Sequence, residues 1–275
     1  MRRHALVVLT CGALIVTLAL GIRAALALFL KPVSLDLGLG REVFSLALAA
    51  STLLTGLAGP FVGALADRYG AMRVVIVGAL FTLVSLLAAA SVGSAIGLYA
   101  TFGVLMGIGS TAVGMSIVFG AVAKAVPAEK RSLAFGIVMS GGSIGQFLMI
   151  PVAQAMLGRW DWRVASELLA IGALLIIPLA WGLRASTVRG AGPAGAASLS
   201  AALAEATRHS GFWLLTAAFF VCGFHVNFVN THLPAFLTDR GISPAVAAQA
   251  LALVGLFNII GSLGSGWLGG RLRHR

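Results

Sequence analysis

Eight apolar stretches, each long enough to form a membrane-spanning helix, dominate this chain of 275 residues. They cover residues 5–30, 43–66, 74–92, 95–122, 133–157, 164–183, 212–237 and 245–268. A helix needs about 20 mainly apolar residues to cross the hydrocarbon core of a bilayer. The stretches lack the alternation over about ten residues that is typical of membrane β-strands. The sequence therefore predicts an all-α membrane protein with eight transmembrane helices.

The composition excludes a water-soluble globule. Hydrophobic residues make up 59% of the chain and charged residues only 10%, whereas a soluble domain carries about 25% charged residues. The net charge of +11 would suggest a nucleic-acid partner in a soluble protein. Here the basic residues lie between apolar stretches, as membrane topology signals do. We therefore predict a lipid bilayer around the chain and no nucleic-acid partner.

The sequence contains no recognisable set of residues for metal binding or covalent chemistry. Cys11 and Cys222 both lie inside apolar stretches, without the spacing of a metal site and away from oxidising enzymes. The few polar residues are scattered over different stretches, so no nucleophile and base fall together. We predict no cofactor and no metal ion, and we predict that the protein is not an enzyme.

The basic residues orient the predicted helices. With a cytoplasmic N-terminus, thirteen lysines and arginines fall on the cytoplasmic side and five on the other side. The cytoplasmic set is Arg2, Arg3, Arg68, Arg73, Lys124, Lys130, Arg131, Arg184, Arg189, Arg208, Arg271, Arg273 and Arg275. The other set is Lys31, Arg41, Arg159, Arg163 and Arg240. Because cytoplasmic loops are rich in Lys and Arg, we predict a multi-pass protein of the cell inner (plasma) membrane with both termini in the cytoplasm.

One predicted loop differs from all the others in length. Residues 184–211 form a 28-residue segment rich in Gly, Ala and Ser, which is typical of a flexible connection between domains. We therefore predict an N-terminal six-helix bundle over residues 1–183, a cytoplasmic linker over 184–211 and a partial C-terminal bundle of two helices over 212–275. Residues 199–209 within the linker are compatible with a short surface helix.

Glycines are frequent in the fourth and fifth apolar stretches and favour close packing of helices, because they let two backbones approach. They are Gly103, Gly107, Gly109 and Gly114 in the fourth stretch, and Gly136, Gly141, Gly142 and Gly145 in the fifth.

A short motif joins the second and third predicted helices. Residues Gly63 to Arg73 read Gly-Ala-Leu-Ala-Asp-Arg-Tyr-Gly-Ala-Met-Arg. This segment resembles the cytoplasmic loop signature of the major facilitator superfamily, G-x-L-A-D-R-x-G followed by basic residues. Gly266, Leu268 and Arg271 repeat part of it 203 residues later. Such a repeat is expected of two homologous halves.

The resemblance implies a major-facilitator-type helical bundle. A complete member of the superfamily has twelve helices. This chain would then hold the complete six-helix N-terminal half and the first two helices of the C-terminal half. It would be truncated after helix eight, as a fragment, a truncated gene product or an incomplete sequence.

Two further segments resemble one branch of the superfamily. The exit of the first helix, with Gly21, Arg23 and the run 28–32, is similar to monocarboxylate-transporter-like and oxalate/formate-antiporter-like members, and so is the run 219–225. This resemblance implies secondary active transport of a small organic solute by alternating access. An organic anion such as a carboxylate is the favoured solute, with a proton or a counter-anion as a possible coupling ion.

Arg23 is the candidate residue for binding an anion. It lies inside an apolar stretch, where an arginine costs about 2.5 to 3.5 kcal/mol on insertion scales. One interpretation is that its guanidinium binds a carboxylate of the substrate, whose geometry matches the fork of donors. The alternative is that the side chain snorkels to the outer headgroups, about 10 Å away at the helical rise.

His225 and His232 are two further candidates for substrate binding. They lie seven residues apart on nearly the same face of the seventh helix, and imidazole donates, accepts and titrates near neutral pH. A hydrogen bond to a neighbouring helix is the alternative for both, and His232 is also compatible with the outer interface. Asn227 and Asn230 fall on the opposite face, where we predict interhelical hydrogen bonds. The resemblance implies that helices one and seven both line the central path, so that Arg23 and His225 would face one cavity.

The loop motif is a candidate conformational switch. The resemblance implies that Asp67 and Arg68, with Gly63, Gly70 and Arg73, control switching, and that Asp67 caps a helix of the opposite half. A carboxylate is favoured at a helix N-terminus. The alternative is a solvated loop that serves only membrane topology.

Two other functions compete with transport of an organic anion. One is a truncated, non-transporting remnant or membrane assembly partner, because two helices of a second half cannot enclose a path. The other is a drug-type efflux carrier of cationic or neutral solutes, which Arg23 and the lack of deeply placed acids disfavour. No Asp or Glu lies deep in any apolar stretch, so proton coupling within this chain would depend on His225.

Overall fold

The computed structural model describes residues 3–186 and 199–272, and within these ranges it contains helices and no strand. Eight helices within these described ranges are long and apolar enough to cross a membrane, and we call them spans 1 to 8 in chain order. They are Arg3–Asp36, Arg41–Tyr69, Ala71–Ala89, Ala95–Ala125, Ala128–Arg159, Trp162–Arg184, Ser210–Asp239 and Pro244–Ser265, the last continuing as helix to Leu272. The predicted fold class is confirmed.

A tight turn joins spans 2 and 3, and we call the side of the bundle that holds it the motif side and the opposite side the far side. The turn needs a glycine, because Gly70 has φ of +89°, which residues with a Cβ rarely adopt. Its N–H donates to the Ala66 carbonyl at 2.9 Å and so satisfies the end of span 2. Gly70 in the loop motif thus has a local structural role.

Span 1 is longer and less regular than predicted. Instead of ending at Leu30, it passes through a 3₁₀ turn over Leu26–Phe29 and continues as an α-helix over Leu30–Asp36. Pro32 explains the irregularity, since it has no N–H to donate to the carbonyl four residues earlier and its ring clashes with that carbonyl. It is tolerated here because it falls in the first turn of the Leu30–Asp36 piece.

Span 4 is interrupted, whereas the sequence predicted one continuous helix. Its π-helical part, Tyr99–Leu105, leads into an α-helix over Met106–Ala112, and a second α-helix begins only at Met115 and ends at Ala125. Gly114, which was predicted to serve helix packing, instead has extended backbone angles at the interruption. A glycine inside an apolar run permits both outcomes, which is why the sequence alone did not locate the break.

Other glycines let neighbouring helices approach closely, as predicted. Span 5 lies between spans 1 and 8 and packs extensively on both. A Cβ at Gly141 would approach the Ala13 carbonyl of span 1 to 2.7 Å, and one at Gly145 would overlap the backbone of Thr17. On the other side of span 5, the backbone of Ser143 lies 2.9 Å from the Cβ position of Gly255 in span 8. The three backbones therefore lie almost in contact.

Span 7 is attached to the first six spans mainly at the far side. It contacts span 1 in the pieces Leu26–Phe29 and Leu30–Asp36, and it contacts span 8. Pro234 and Ala235 are buried there, while the motif-side half of span 7 is exposed among the described residues. Span 7 thus packs on the six-helix bundle at the far side and leaves its motif-side half exposed.

The predicted linker is described only in part. Residues 187–198 lie outside the described part of the chain, and so do residues 273–275 and the side chains at 266 and 269–272 that belong to the repeated motif. A helix over Leu199–Arg208 occupies the position where a short surface helix was predicted. The Trp213 indole N–H donates to the Thr207 carbonyl at 2.9 Å and joins this helix to span 7.

We expect Gly145→Ala to destabilise the bundle, because the new methyl group would overlap the backbone of span 1. Overpacking of this kind costs about 1 to 3 kcal/mol. The matched control is Gly56→Ala in the middle of span 2, where no described residue of another helix lies within 4 Å of the added Cβ. Thermal unfolding in detergent, followed by tryptophan fluorescence, compares the two; equal melting temperatures would contradict the close crossing of spans 1 and 5.

Candidate functional site

Arg23 reaches from span 1 to span 2. Its Nη2 donates to Thr52 Oγ1 at 2.8 Å, and its Nη1 donates to Thr55 Oγ1 at 3.3 Å. The side chain is partly buried and turned into the bundle. This orientation differs from the snorkelling alternative, in which the guanidinium would extend along span 1 to the membrane surface.

The two threonines hold the guanidinium as acceptors. Each hydroxyl has a single proton, which Thr52 donates to the Leu48 carbonyl at 2.9 Å. Thr55 donates to the Ser51 carbonyl at 2.8 Å, and the Gly107 carbonyl of span 4 lies within reach of the same hydroxyl at 3.3 Å. Their lone pairs therefore remain for Arg23. Because a guanidinium has five N–H donors and two are used here, Arg23 retains unused donors.

No carboxylate neutralises Arg23 in the part of the chain that the structure describes. The acidic residues that form ion pairs there are Asp36 with Arg163, Asp67 with Lys124, and Asp239 with Lys31 and Arg41. All of these lie near span ends. A buried cation without a counter-charge is unfavourable unless a mobile anion neutralises it or water enters to solvate it.

A cavity of about 340 Å³ opens beside Arg23. Spans 1, 2, 4 and 7 contribute to its walls, and the interruption of span 4 forms one side. The lining residues are Ala19, Leu20, Arg23, Thr55, Gly59, Ser110, Thr111, Val113, Gly114, Met115, Ser116, Ile117 and Asn227. A small solute fits such a volume, and Arg23 is the charged residue among the described residues that line it.

The structure does not bring His225 and Arg23 together. His225 is exposed on span 7, about 200° around the helix from Asn227, which lines the cavity. His232 is half-buried, and its ring centroid lies 5.0 Å from that of Phe228. The two histidines therefore share a face that points away from the Arg23 cavity, unlike the arrangement implied by the family resemblance.

The two asparagines of span 7 differ in role. Asn230 accepts a hydrogen bond from Gln146 Nε2 of span 5 at 3.3 Å, as predicted for an interhelical contact. Asn227 faces the cavity instead. Asn227, Thr52 and Thr55 belong to the site although sequence reasoning did not select them. The spacing of Thr52 and Thr55, three residues apart and so on one helical face, was a usable signal.

The loop motif makes a local ion pair. Lys124 Nζ at the end of span 4 lies 2.7 Å from Asp67 Oδ1. The Arg68 guanidinium lies 5.3 Å from the centroid of the Tyr69 ring. Asp67 was expected to cap a helix of the opposite half, but its partner among the described residues belongs to the same six-helix bundle. Its side chain is 75% exposed, so this pair contributes little to stability.

A second group of charges, the far-side cluster of Lys31, Arg41 and Asp239, joins span 7 to spans 1 and 2. Asp239 Oδ1 lies 3.1 Å from Lys31 Nζ and 3.0 Å from Arg41 Nη2. Asp239 lies at the end of span 7, whereas both cations belong to the six-helix bundle. The cluster therefore closes the far side of the space between span 7 and that bundle.

Comparisons with known proteins agree with this architecture. The sequence model of the Major Facilitator Superfamily matches residues 9–275. Monocarboxylate transporter 13 of Bos taurus is 29% identical over 212 residues, which cover 76% of this chain and 48% of that protein. Monocarboxylate transporter 11 of Mus musculus is 30% identical over 214 residues, which cover 77% and 47%. The uncharacterized MFS-type transporter YcxA of Bacillus subtilis (strain 168) is 26% identical over 270 residues, which cover 92% and 62%. The chain spans about half the length of these two monocarboxylate transporters.

Solved structures show the same fold. A bacterial homologue of the human lysosomal transporter Spinster, in an inward-facing and unoccupied conformation, matches with a TM-score of 0.72 at 19% identity, covering 93% of this chain and 60% of that one. A proton:xylose symporter of the major facilitator superfamily, bound to 6-bromo-6-deoxy-D-glucose, matches with a TM-score of 0.69 at 15% identity, covering 94% and 68%. At these identities the likeness concerns the fold alone.

We expect the double variant Thr52→Val and Thr55→Val to destabilise the protein by about 2 to 4 kcal/mol, because two donors of a charged group lose their acceptors. The matched control is Thr216→Val in span 7, whose exposed hydroxyl makes the same bond to a carbonyl four residues earlier but has no charged partner in the described part of the chain. Thermal unfolding in detergent compares the variants. If the double variant and the Thr216→Val control have the same melting temperature, the threonines do not hold Arg23.

Proposed function

This chain belongs to the major facilitator superfamily, and on that premise we propose that it forms part of a secondary active transporter. The proposed solute is a small organic anion such as a carboxylate, bound in the Arg23 cavity and carried by alternating access. One observation carries this proposal: a partly buried guanidinium with unused donors and no carboxylate partner among the described residues faces a cavity of solute size.

The chemistry of the cavity supports an anionic solute. Arg23 presents a planar fork of N–H donors that matches a carboxylate geometrically. The rest of the lining combines apolar side chains with the hydroxyls of Ser110 and Ser116 and the amide of Asn227, which is the composition expected of a small-molecule site. Two of the relatives are named monocarboxylate transporters, which favours the same class of solute. A cationic drug would have to enter beside an uncompensated positive charge, so efflux of cations is disfavoured.

Alternating access is supported by the unequal contacts of span 7. The far-side cluster ties span 7 to the six-helix bundle, whereas the motif-side half of span 7 is exposed. This arrangement corresponds to a path closed on the far side and open on the motif side. Transport requires the converse state as well, in which the far-side cluster opens and the motif side closes.

The loop motif is proposed to act on that second state. Gly70 fixes the turn, and Asp67 and Arg68 lie next to it at the motif side. Because the ion pair of Asp67 with Lys124 is exposed, it costs little to exchange Lys124 for another partner when the motif side closes. We propose this exchange as the switching role of the motif.

The orientation and the coupling ion complete the proposal. The distribution of basic residues favours a cytoplasmic motif side, with the linker also in the cytoplasm and the protein in the plasma membrane. A proton or a counter-anion is proposed as the coupling ion. His225 and His232 lie outside the Arg23 cavity, so their proposed part in binding requires that span 7 turns or that a further helix faces them.

We expect Arg23→Lys to weaken carboxylate binding about tenfold, because it keeps the charge but loses the fork of donors, and Arg23→Ala to nearly abolish binding. Titration calorimetry in detergent with acetate, benzoate and succinate measures this, with tetraethylammonium as the cationic control. Arg159→Lys, at an exposed position in the last turn of span 5, is the matched control variant. Equal binding by the parent and all three variants would sink the anion-site proposal.

We expect Asp239→Asn to open the far side, because it removes the carboxylate that both Lys31 and Arg41 contact. Gln154 lines a far-side cavity of about 280 Å³ beside Lys31. A cysteine at position 154, in a background with Cys11→Ser and Cys222→Ser, should react with a charged methanethiosulfonate roughly two- to fivefold faster in the Asp239→Asn variant, given the modest energy of exposed ion pairs.

The matched control for this labelling experiment is Asp36→Asn. Asp36 pairs with Arg163 on the same side of the protein, but both residues belong to the six-helix bundle. Its loss should leave the labelling rate unchanged. A rate that rises equally in both variants would show loosening of the far side in general and would contradict the proposed closure by Asp239.

A further inference from the structure

The interruption of span 4 places the start of a helix at the wall of the Arg23 cavity. We call the part of span 4 that ends with the helix Met106–Ala112 the upper piece and the helix Met115–Ala125 the lower piece. Val113 follows the upper piece with φ of −93° and ψ of 2°. Gly114 is extended, with φ of −72° and ψ of 169°, and the lower piece runs over eleven residues from Met115 to Ala125. The lower piece therefore has its own N-terminus deep in the membrane-spanning region.

The first N–H groups of this lower piece have no acceptor among the described residues. Val118 is the first residue whose N–H bonds back, to the Gly114 carbonyl at 3.4 Å. The N–H groups of Met115, Ser116 and Ile117 precede it, and no carbonyl or side chain in the described ranges 3–186 and 199–272 accepts from them. Gly114 at the N-cap position has no side chain that could do so. Backbone donors without a protein acceptor are tolerated at this depth of a membrane only where they line a cavity, so water or a solute in that cavity must bind these groups.

These donors lie at the same cavity as Arg23. Gly114, Met115, Ser116 and Ile117 all line it. The carbonyl groups at the end of the upper piece offset these free donors only in part. The carbonyls of Gly109 and Thr111 already accept hydrogen bonds from the N–H groups of Val113 and Gly114. The N-terminus of the lower piece carries the positive end of its helix dipole. Two independent groups, a guanidinium without a counter-charge and a set of free N–H donors, thus converge on one space.

We propose that the first turn of the Met115–Ala125 helix is the second half of the anion site. This inference rests on the proposed function, because it assigns further binding groups to the same cavity. Arg23 supplies the formal charge and binds one side of a carboxylate, and the N–H groups of Met115 and Ser116 receive the other side. Helix N-termini bind anions in this way because their donors and their dipole act together.

Gly114 is required for the geometry of this half of the site. A Cβ at position 114 would lie 2.9 Å from the Ser110 carbonyl oxygen and 3.2 Å from that of Thr111. A larger residue would push the two pieces of span 4 apart. The glycine therefore lets the chain turn sharply enough for the lower helix to start at the cavity wall.

Proline at position 115 tests the proposal, because it removes one N–H group and leaves the helix intact. Position 115 is the first residue of the helix, where proline is well tolerated. The extended backbone of Gly114 suits a residue that precedes proline. The matched control is Met115→Ala, which also removes the methionine side chain but keeps the N–H.

Titration calorimetry of the full chain in detergent, with benzoate as the probe, measures the effect. We expect Met115→Pro to bind benzoate about tenfold more weakly than Met115→Ala does, since a hydrogen bond to a charged group is lost. Benzamide, which has the same shape without the charge, should bind weakly to the parent and both variants. Circular dichroism and the melting temperature verify that Met115→Pro stays folded.

A second measurement does not depend on the proline variant. Labelling the seven methionines with ¹⁵N gives an amide signal for Met115, which Met115→Ala identifies by its disappearance. Benzoate should move the Met115 amide proton downfield, and benzamide should not. A Met115 signal that ignores benzoate while the parent binds it would overturn the inference.

The outcomes separate this inference from the proposed function. If Arg23→Ala abolishes benzoate binding while Met115→Pro and Met115→Ala bind it equally well, the anion site stands and the helix N-terminus has no part in it. If the parent binds no anion at all, both proposals fall. Weakening by Met115→Pro together with a benzoate shift at Met115 supports both.

Discussion

A charge inside a bilayer must find its partners within the protein, and the centre of this structure is arranged around that requirement. Arg23 finds two of them in Thr52 and Thr55, whose hydroxyls donate hydrogen bonds to carbonyls of span 2 and accept from the guanidinium. The interruption of span 4 poses the same requirement for backbone donors. The remaining donors of Arg23 and the backbone donors of span 4 lie at one cavity, and the proposed binding site follows from their meeting there.

Small residues bring the helices around this cavity into close contact. In a membrane the lipid tails are as apolar as leucine, so helices gain stability from close contact and from hydrogen bonds between them. Gly141 and Gly145 bring span 5 against span 1, and Gly255 brings span 8 against the other side of span 5. Gln146 adds polar contacts, donating to Asn230 and, at 3.5 Å, to the Leu251 carbonyl.

The sequence predicted the helices better than it predicted the site. Span number and approximate bounds follow from apolar length, which the bilayer fixes, and Arg23 stands out because its charge is exceptional there. The break at Gly114 was missed, since a glycine in an apolar run serves packing and bending equally well. Asn227 was assigned to a different role because helical spacing separates the faces of span 7 but does not say which face meets the bundle. That choice depends on contacts between distant parts of the chain.

The bond between Arg23 and span 2 has a consequence for how the chain enters the membrane during synthesis. Spans 1 and 2 are consecutive, and the acceptors for the guanidinium lie on the helix that emerges from the ribosome next. If span 1 left the translocon alone, its arginine would face lipid; if it waits for span 2, the pair enters as a hairpin with the guanidinium already bonded. The arginine would thereby set the order of insertion, delaying the release of the first helix until the second has arrived.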